Sequence, residues 1–298
     1  MRPGAQRGAA VVMAMLVVAV TATLVAGAFW RQSVIARQAE NELSFAQAKW
    51  LIRGAIDWAG IILREDARTS SVDHIGEPWA VPLADTHLNP EDGRDPVYLA
   101  GGIQDEQAKF NLRNLVGPKG VDPREVAVLR RLLALVGASE TLADPMAERV
   151  FAAVPGEGGR RQATLGLGSI DDLLDVKAVS AAALERLRPF VTVLPQPTPV
   201  NANTASAEVL AARFENLALA DARRLVASRD RTYFKDRTDV LSRIPQLKLQ
   251  ATDTEIATAT RFFAVDGTVS YQRARLRTQA LLRREAGRVE AVWLREAV

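Results

Sequence analysis

The sequence predicts an α+β protein: a long N-terminal membrane helix, a small antiparallel sheet, and a large all-α domain inserted between the strands. Three observations carry this. Residues 9–30 form an apolar run without a single charge, and roughly 20 helical residues cover the about 30 Å hydrocarbon core of a bilayer. Amphipathic spacing continues beyond that run, with no proline between Ala9 and Ser71. Strand-like alternation occurs both before and after a central block, 118–257, that reads as short amphipathic helices. A sheet that starts before a helical block and resumes after it is most simply a small α/β domain carrying an insertion.

The first helix is expected to run well past the apolar segment. Ile35, Ala39, Leu43, Ala46 and Trp50 recur at three- and four-residue spacing, and Leu51, Ala55, Trp58 and Ile62 continue one step round the helix. The second half, around Leu43, Trp50 and Trp58, is expected to pack one face on its own sheet and to leave other parts for partner helices. From 70 to 96 the helix signal collapses at Gly76, Pro78, Pro82, Pro90, Gly93 and Pro96. Residues 96–100 read as a strand, Gly101-Gly102 as a turn, and 103–112 as the returning strand of a hairpin.

In the helical block, Val126, Leu129, Leu132, Leu133 and Val136 form one face, with Gly137 as C-terminal cap. Ser169 and Asp172 suit a capping box before Leu173 and Leu174. Ser180 caps a helix carrying Leu184 and Leu187 that stops at Pro189. Pro195, Pro197 and Pro199 make a stiff connector. Further helices follow around Leu210, Leu225 and Leu241. An internal echo links the segment from Ser169 to Val193 with that from Thr238 to Val265: each reads as capped helix, turn, second helix and extended exit. At the end, Ala274, Leu276, Thr278, Ala280 and Leu282 alternate with polar residues. Glu285-Ala-Gly-Arg turns the chain into a partner strand around Val289, Ala291 and Trp293.

The 298 residues suffice for two domains, with 48% hydrophobic and 24% charged residues and a net charge of +3. Arginine is interspersed with acids, which reads as a solvated surface rather than a nucleic-acid stripe. The absence of cysteine removes disulfides, thiolate catalysis and cysteine zinc sites. Two histidines, His74 and His87, leave little material for a triad or a multi-histidine metal centre. The segment from Val200 to Leu210 looks like the opening of a helix-hairpin-helix unit. Its turn, 214–221, lacks the glycines that let backbone N–H groups approach phosphate, and Asn203 or Thr204 reads as an N-cap. The acidic loop 89–96 is a solvated turn without EF-hand spacing. Asp171, Asp172 and Asp175 suit a helix start. The glycine-rich stretch 156–168 lacks the lysine and spacing of a phosphate loop. No catalytic residue is assigned.

Eight residues with Arg2 and Arg7 precede the apolar run and end in Gly8. A secretory signal has its small-residue cleavage site after the apolar stretch; here it lies before. This resembles the class III leader of type IV pilins and type II secretion pseudopilins, in which a prepilin peptidase cuts after the glycine and methylates the new terminus. The processing residues would be Gly8 and Ala9. Most such proteins carry Glu at the fifth mature position; this chain has Met13. A tip subunit, with no neighbour above it, can do without that carboxylate. Four further landmarks follow in order: His74-Ile-Gly-Glu-Pro-Trp-Ala, Lys109-Phe-Asn-Leu-Arg-Asn-Leu, Asn201-Ala-Asn-Thr-Ala-Ser and Thr260-Arg-Phe-Phe-Ala-Val. Over nearly its full length the chain resembles the K-type minor pseudopilins of the type II secretion system.

The resemblance implies a pseudopilin fold: leader 1–8, transmembrane helix 9–30, pilin-like helix and first strands 31–117, terminal strands 258–298. The inserted domain 118–257 would comprise two SAM-like units, about 118–195 and 199–257. It implies a non-enzymatic subunit at the pseudopilus tip that initiates assembly for export across the outer membrane. Its partners would be I- and J-type minor pseudopilins and other type II secretion components, prepilin peptidase and inner-membrane lipid, with no nucleic acid. The chain would cross the inner membrane once, with its C-terminal domain in the periplasm. Some relatives bind calcium through an aspartate-rich loop. The segment 144–161 is poor in aspartate and carries Arg160 and Arg161, so no metal or cofactor is carried over. The alternative reading is a membrane-tethered, competence-type DNA-binding protein using the Asn203 region.

Overall fold

The computed structural model describes residues 7–88, 96–154, 165–244 and 255–297. In chain order the elements are helix α1 (Arg7–Thr69) and strands β1 (Leu83–Leu88), β2 (Val97–Asp105) and β3 (Phe110–Asn111). A small hairpin, β4 (Val116–Gly117) and β5 (Gly120–Val121), leads to helices α2 (Pro123–Leu135), α3 (Ala143–Ala153) and α4 (Ala181–Leu187). Then come β6 (Val191–Thr192), β7 (Val200–Asn201), helices α5 (Ala207–Arg213), α6 (Leu219–Arg231) and α7 (Arg237–Ser242), and β8 (Ile256–Ala257). The chain closes with β9 (Phe262–Tyr271), β10 (Ala274–Glu285) and β11 (Arg288–Ala297). One antiparallel sheet has the order β1-β2-β9-β10-β11. Because β2 and β9 are neighbours, everything from β3 to β8 is inserted between adjacent strands.

Helix α1 spans 63 residues, about 95 Å at 1.5 Å per residue. Its second half lies on the sheet through Ala48, Ile52, Ile56, Ala59 and Leu63, all buried against Trp79, Phe263, Val265, Val269, Ala280 and Leu282. One face therefore packs on the sheet, as expected, and the structure decides which. Trp50 is 75% exposed and Trp58 50%, and Leu43 points outward. Both sides of this helix are apolar, and the smaller side wins the sheet because its alanines allow close approach. Ile52 sits directly over Gly267, where a Cβ would stand 3.0 Å from its Cδ1.

The Gly101-Gly102 turn is corrected. Strand β2 runs straight through both residues, with Gly101 opposite Gly267 of β9. A Cβ at Gly101 would fall on the Asp266 carbonyl, so these glycines serve a close backbone approach, not a reversal. The expected returning strand, 103–112, instead leaves the sheet at Asp105 through a 3-10 turn, Glu106–Ala108. The true hairpin partner of β2 is β1, from the proline-punctuated stretch. Strand β9, read only as an extended exit, is the middle strand of the sheet. The final hairpin agrees with expectation: Ala286 and Gly287 take φ of 49° and 75° between β10 and β11, the left-handed pair a two-residue turn requires.

The helices share one core, from Phe110 to Ile256, that includes no residue of the sheet. Within it are two units, each opened and closed by a two-residue parallel pair: β3 with β6, and β7 with β8. Pro118, expected to open the block, lies inside the first unit, since Phe110 already belongs to its core. Gly137 (φ 70°) ends α2 with the Ala138 N–H on the Leu133 carbonyl at 2.9 Å and the Gly137 N–H on Ala134 at 3.1 Å, a Schellman motif. The Asp172 carboxylate accepts from the Ser169 N–H at 2.8 Å, though it opens a 3-10 segment, Ile170–Asp175. The Ser180 hydroxyl accepts from Ala183 N–H and caps α4. The N-cap of α5 is Ser206, not Asn203 or Thr204.

Leu63→Ala is expected to cost about 2–5 kcal/mol, because its site is fully enclosed. Trp50→Ala should stay within about 0.5 kcal/mol. Urea unfolding of the detergent-solubilised chain followed by circular dichroism compares them; equal losses would contradict the assigned packing face.

Candidate functional site

The first candidate surface is α1 itself. From Ala9 to Leu43 its residues are exposed, with Val34 alone half-buried, and its apolar window has a mean hydropathy of 2.6. It is long and apolar enough to cross a bilayer. Gly8 and Ala9 lie in its first turn, and Met13 is exposed one turn further on. Beyond the membrane segment an apolar stripe of Leu43, Trp50, Trp58 and Ile61 continues on the side facing away from the sheet. A groove flanks the helix on each side. One, of about 330 Å³, is bounded by Ile56, Trp58 and Trp79 over Gly101 and Gly267. The other, of about 390 Å³, lies between Trp50, Leu276 and Leu294, with Lys49 and Glu296 paired at 2.8 Å on its rim.

The second feature is a buried polar joint at the far end of α1, where the helical block meets the sheet. Arg284 of β10 donates to Asp66 of α1 at 2.8 Å, to Asp73 and to the Thr260 carbonyl at 3.1 Å, and stacks on Phe263. Asp73 accepts from the Thr260 N–H at 2.6 Å, and its carbonyl accepts from the Asn201 amide at 3.1 Å. Asp105, at the end of β2, accepts from the Gln107 N–H (2.7 Å), Thr260 Oγ1 (2.7 Å), Asn201 Nδ2 (2.8 Å) and Thr204 Oγ1 (2.6 Å). Burial pushes Asp105 up to about 6 against the pull of these hydroxyl and amide donors. Burial likewise raises Asp66 to about 6, opposed by Arg284, and raises Asp73.

The landmarks converge here. In the 74–80 segment, Glu77 accepts from the His74 N–H at 2.9 Å and from Trp79 Nε1 at 2.8 Å, so Trp79 reaches the sheet core without an orphan donor. The His74 ring stacks on Tyr233 of the helical block, centroids 4.2 Å apart. Asn111 and Asn114 hold the proline connector through Gln196 and Thr198. Asn203 is fully buried and clamps the backbone of Phe234; its amide faces no surface that phosphate could reach. Sequence reasoning singled out these segments but not the roles of their buried asparagines. The usable signal was an asparagine beside residues that belong to a core.

Asp66, Asp73 and Glu77 bring three carboxylates within 4.8 Å, yet Arg284 supplies the positive charge there and Glu77 is spent on His74 and Trp79. Asp144 is held by both oxygens on Arg130 at 3.0 Å. The rest of its segment from Pro155, with Arg160 and Arg161, lies outside the described residues, as do residues 89–95 of the acidic loop and 156–164 of the glycine-rich stretch. Asp171 pairs with Arg188 in an ordinary surface ion pair, and the exposed Asp175 accepts from the largely buried Arg149. His87 packs edge-on against Tyr98 of the neighbouring strand.

A long helix, apolar and unburied in its first half and packed on an antiparallel sheet in its second, defines a pilin-like filament subunit with a membrane-spanning segment. Two segments, 108–196 and 200–259, match the family profiles described as type II secretion system protein K. The chain is 32% identical to the type II secretion system protein K of Pseudomonas aeruginosa, covering 98% of this chain and 93% of that one. It is 29% identical to the Klebsiella pneumoniae protein of the same description, covering 85% and 83%. A crystal structure of the GspK-GspI-GspJ complex from the type II secretion system of enterotoxigenic Escherichia coli superposes with a TM-score of 0.70 at 19% identity, covering 88% of this chain and 99% of that one. The chain belongs to the type II secretion system protein K family and is a minor pseudopilin. Nothing in the site or in these likenesses favours the DNA-binding alternative.

Arg284→Met should cost about 3–5 kcal/mol at pH 7.5, since it leaves Asp66 and Asp73 buried without their cation. The loss should shrink at pH 5, where Asp66 is largely protonated. Urea titrations at the two pH values measure this; a pH-independent loss would count against the joint as described.

Proposed function

We propose that this minor pseudopilin is a non-enzymatic subunit that sits at the tip of the type II secretion pseudopilus and initiates its assembly for export across the outer membrane. It would be anchored once in the inner membrane with the sheet and helical block in the periplasm. The observation that carries the reading is the placement of bulk. The helical block is attached at the end of α1 opposite its apolar half, so it obstructs the position where a further subunit would stack. The partners are I- and J-type minor pseudopilins, which are the companions of the superposed K protein in its complex. They would dock their own helices along the exposed stripe of Trp50 and Trp58 and into the grooves beside it. Prepilin peptidase would cut between Gly8 and Ala9, which begin α1. No cofactor is required by this role.

Co-expression with a prepilin peptidase should remove residues 1–8 and leave Ala9 amino-terminal, as read by intact mass, and Gly8→Leu should block the cut. The double variant Trp50→Ala/Trp58→Ala should lose most co-purification with I- and J-type partners while unfolding at the same temperature as the parent. A second variant tests the cap. Asp105 and Phe263 are register partners across β2 and β9, so a short linker between these strands can replace the helical block. That protein should still insert and bind partners but lose its restriction to the tip in labelled filaments.

A further inference from the structure

The helical block and the α1–sheet body have separate apolar cores, and the sheet's other face adds only a small contact of Leu194 with Phe262, Leu281 and Trp293. What lies between them is the buried network of Asp66, Asp73, Asp105, Asn201, Thr204, Thr260 and Arg284. Its charges do not balance. Four carboxylates (Asp66 from α1, Asp73 and Glu77 from the following loop, Asp105 from β2) face one guanidinium, Arg284 from β10. Glu106 beside them is taken by Lys109 at 2.6 Å and Thr192 at 2.5 Å. Among the described residues the helical block brings no cation, only the Asn201 amide, the Thr204 hydroxyl and the Tyr233 ring on His74, whose Nε2 is 3.9 Å from Glu77. Among the described residues Asp105 has no cationic partner at all, and its four donors are neutral.

We propose that this joint is a proton-operated hinge: uptake of protons at Asp105 and Asp66 closes the helical block onto the sheet, and their release loosens it. The proton has a place to go. When Asp105 is protonated its Oδ2 donates to Thr204 Oγ1, 2.6 Å away, and the Thr204 hydroxyl turns its own proton to the Asn201 carbonyl at 3.4 Å. Every group stays bonded and one buried charge disappears. When Asp105 is ionised, four neutral donors must balance a full charge out of water, and opening the joint to solvent relieves that. The sign follows from linkage. A carboxyl raised from 3.8 to about 6 on folding contributes stability that is complete below pH 4 and lost as pH rises through 6. The hinge therefore tightens in a mildly acidic periplasm and loosens at neutral to alkaline pH. This goes beyond the tip-cap reading and does not depend on it.

The test is hydrogen exchange of the full chain in detergent micelles between pH 5 and 8, corrected for intrinsic amide rates. The amides of Gln107 and Thr260, which donate to Asp105 and Asp73, should lose at least about tenfold in protection between pH 5.5 and 8. The amides of Leu132 and Leu210, inside the block, should hold theirs. Unchanged protection at the joint, or an equal loss in the block core, overturns the proposal. Asp105→Asn should shrink the pH response at Gln107, leaving only the part that Asp66 drives; an undiminished response is also fatal to it. Because that variant sets an amide donor among four others and can fail to fold, Thr204→Val serves beside it. The Thr204 hydroxyl serves both protonation states of Asp105, so losing it should move the midpoint of the transition, and a midpoint that stays put contradicts the mechanism.

Discussion

The structure hangs on a buried polar seam. Elsewhere the protein is assembled by apolar burial: α1 on the sheet, and the helices of the block on one another. Neither core extends into the other, so beyond the small contact of Leu194 with Phe262 and Leu281 the orientation of block against sheet rests on hydrogen bonds whose geometry tolerates little slippage. Arg284 ties the last turn of α1 to the start of β9, and Asp105 ties the end of β2 to the second helical unit. A greasy interface of the same size would hold as well but would allow several orientations. Buried donors and acceptors specify one, because any other leaves them unpaired at a cost of about 1–3 kcal/mol each.

The long helix answers a different constraint. It is apolar and exposed in its first half, apolar toward its own sheet in its second, and still apolar on the outward side of that second half. The chain meets this by sorting side chains by size. Alanines and isoleucines (Ala48, Ile52, Ile56, Ala59) go inward over a sheet thinned by Gly267, and tryptophans go outward. Exposed tryptophans of this kind are unusual for a monomer and are what an interface anchor requires.

Much of this was legible in the sequence. The membrane segment follows from the absence of charge over 9–30, the terminal hairpin from strict alternation around Ala286 and Gly287, and the caps at Gly137 and Ser180 from local chemistry that tertiary contacts do not override. The rest shares a cause. On α1, periodicity identifies apolar faces around Leu43, Trp50 and Trp58 but cannot rank them, so it leaves open which face takes the sheet. Gly101-Gly102 signals a turn and a close strand approach with the same letters. Asn111, Asn201 and Asn203 are polar residues that belong to the interior, and only their partners, far away in sequence, reveal it. Strand β1 sat among prolines that favour an edge but obscure alternation.

The neighbouring placement of β2 and β9 also sets an order of events. Their pairing closes a loop of roughly 150 residues, and an unstructured loop of that length is slow to close. Each helical unit, by contrast, has its ends already side by side in a two-residue parallel pair. Once both units fold, the ends of β2 and β9 are delivered to each other across Asp105 and Phe263, and closure becomes local. As the chain is made from N to C terminus, α1, β1 and β2 appear first and wait with an unpaired strand edge, while the middle strand of the sheet is still to come. The glycines at 101 and 102 make that waiting edge a poor template for aggregation. By this topology a folded inserted block brings the two strand ends of its host sheet together before they pair.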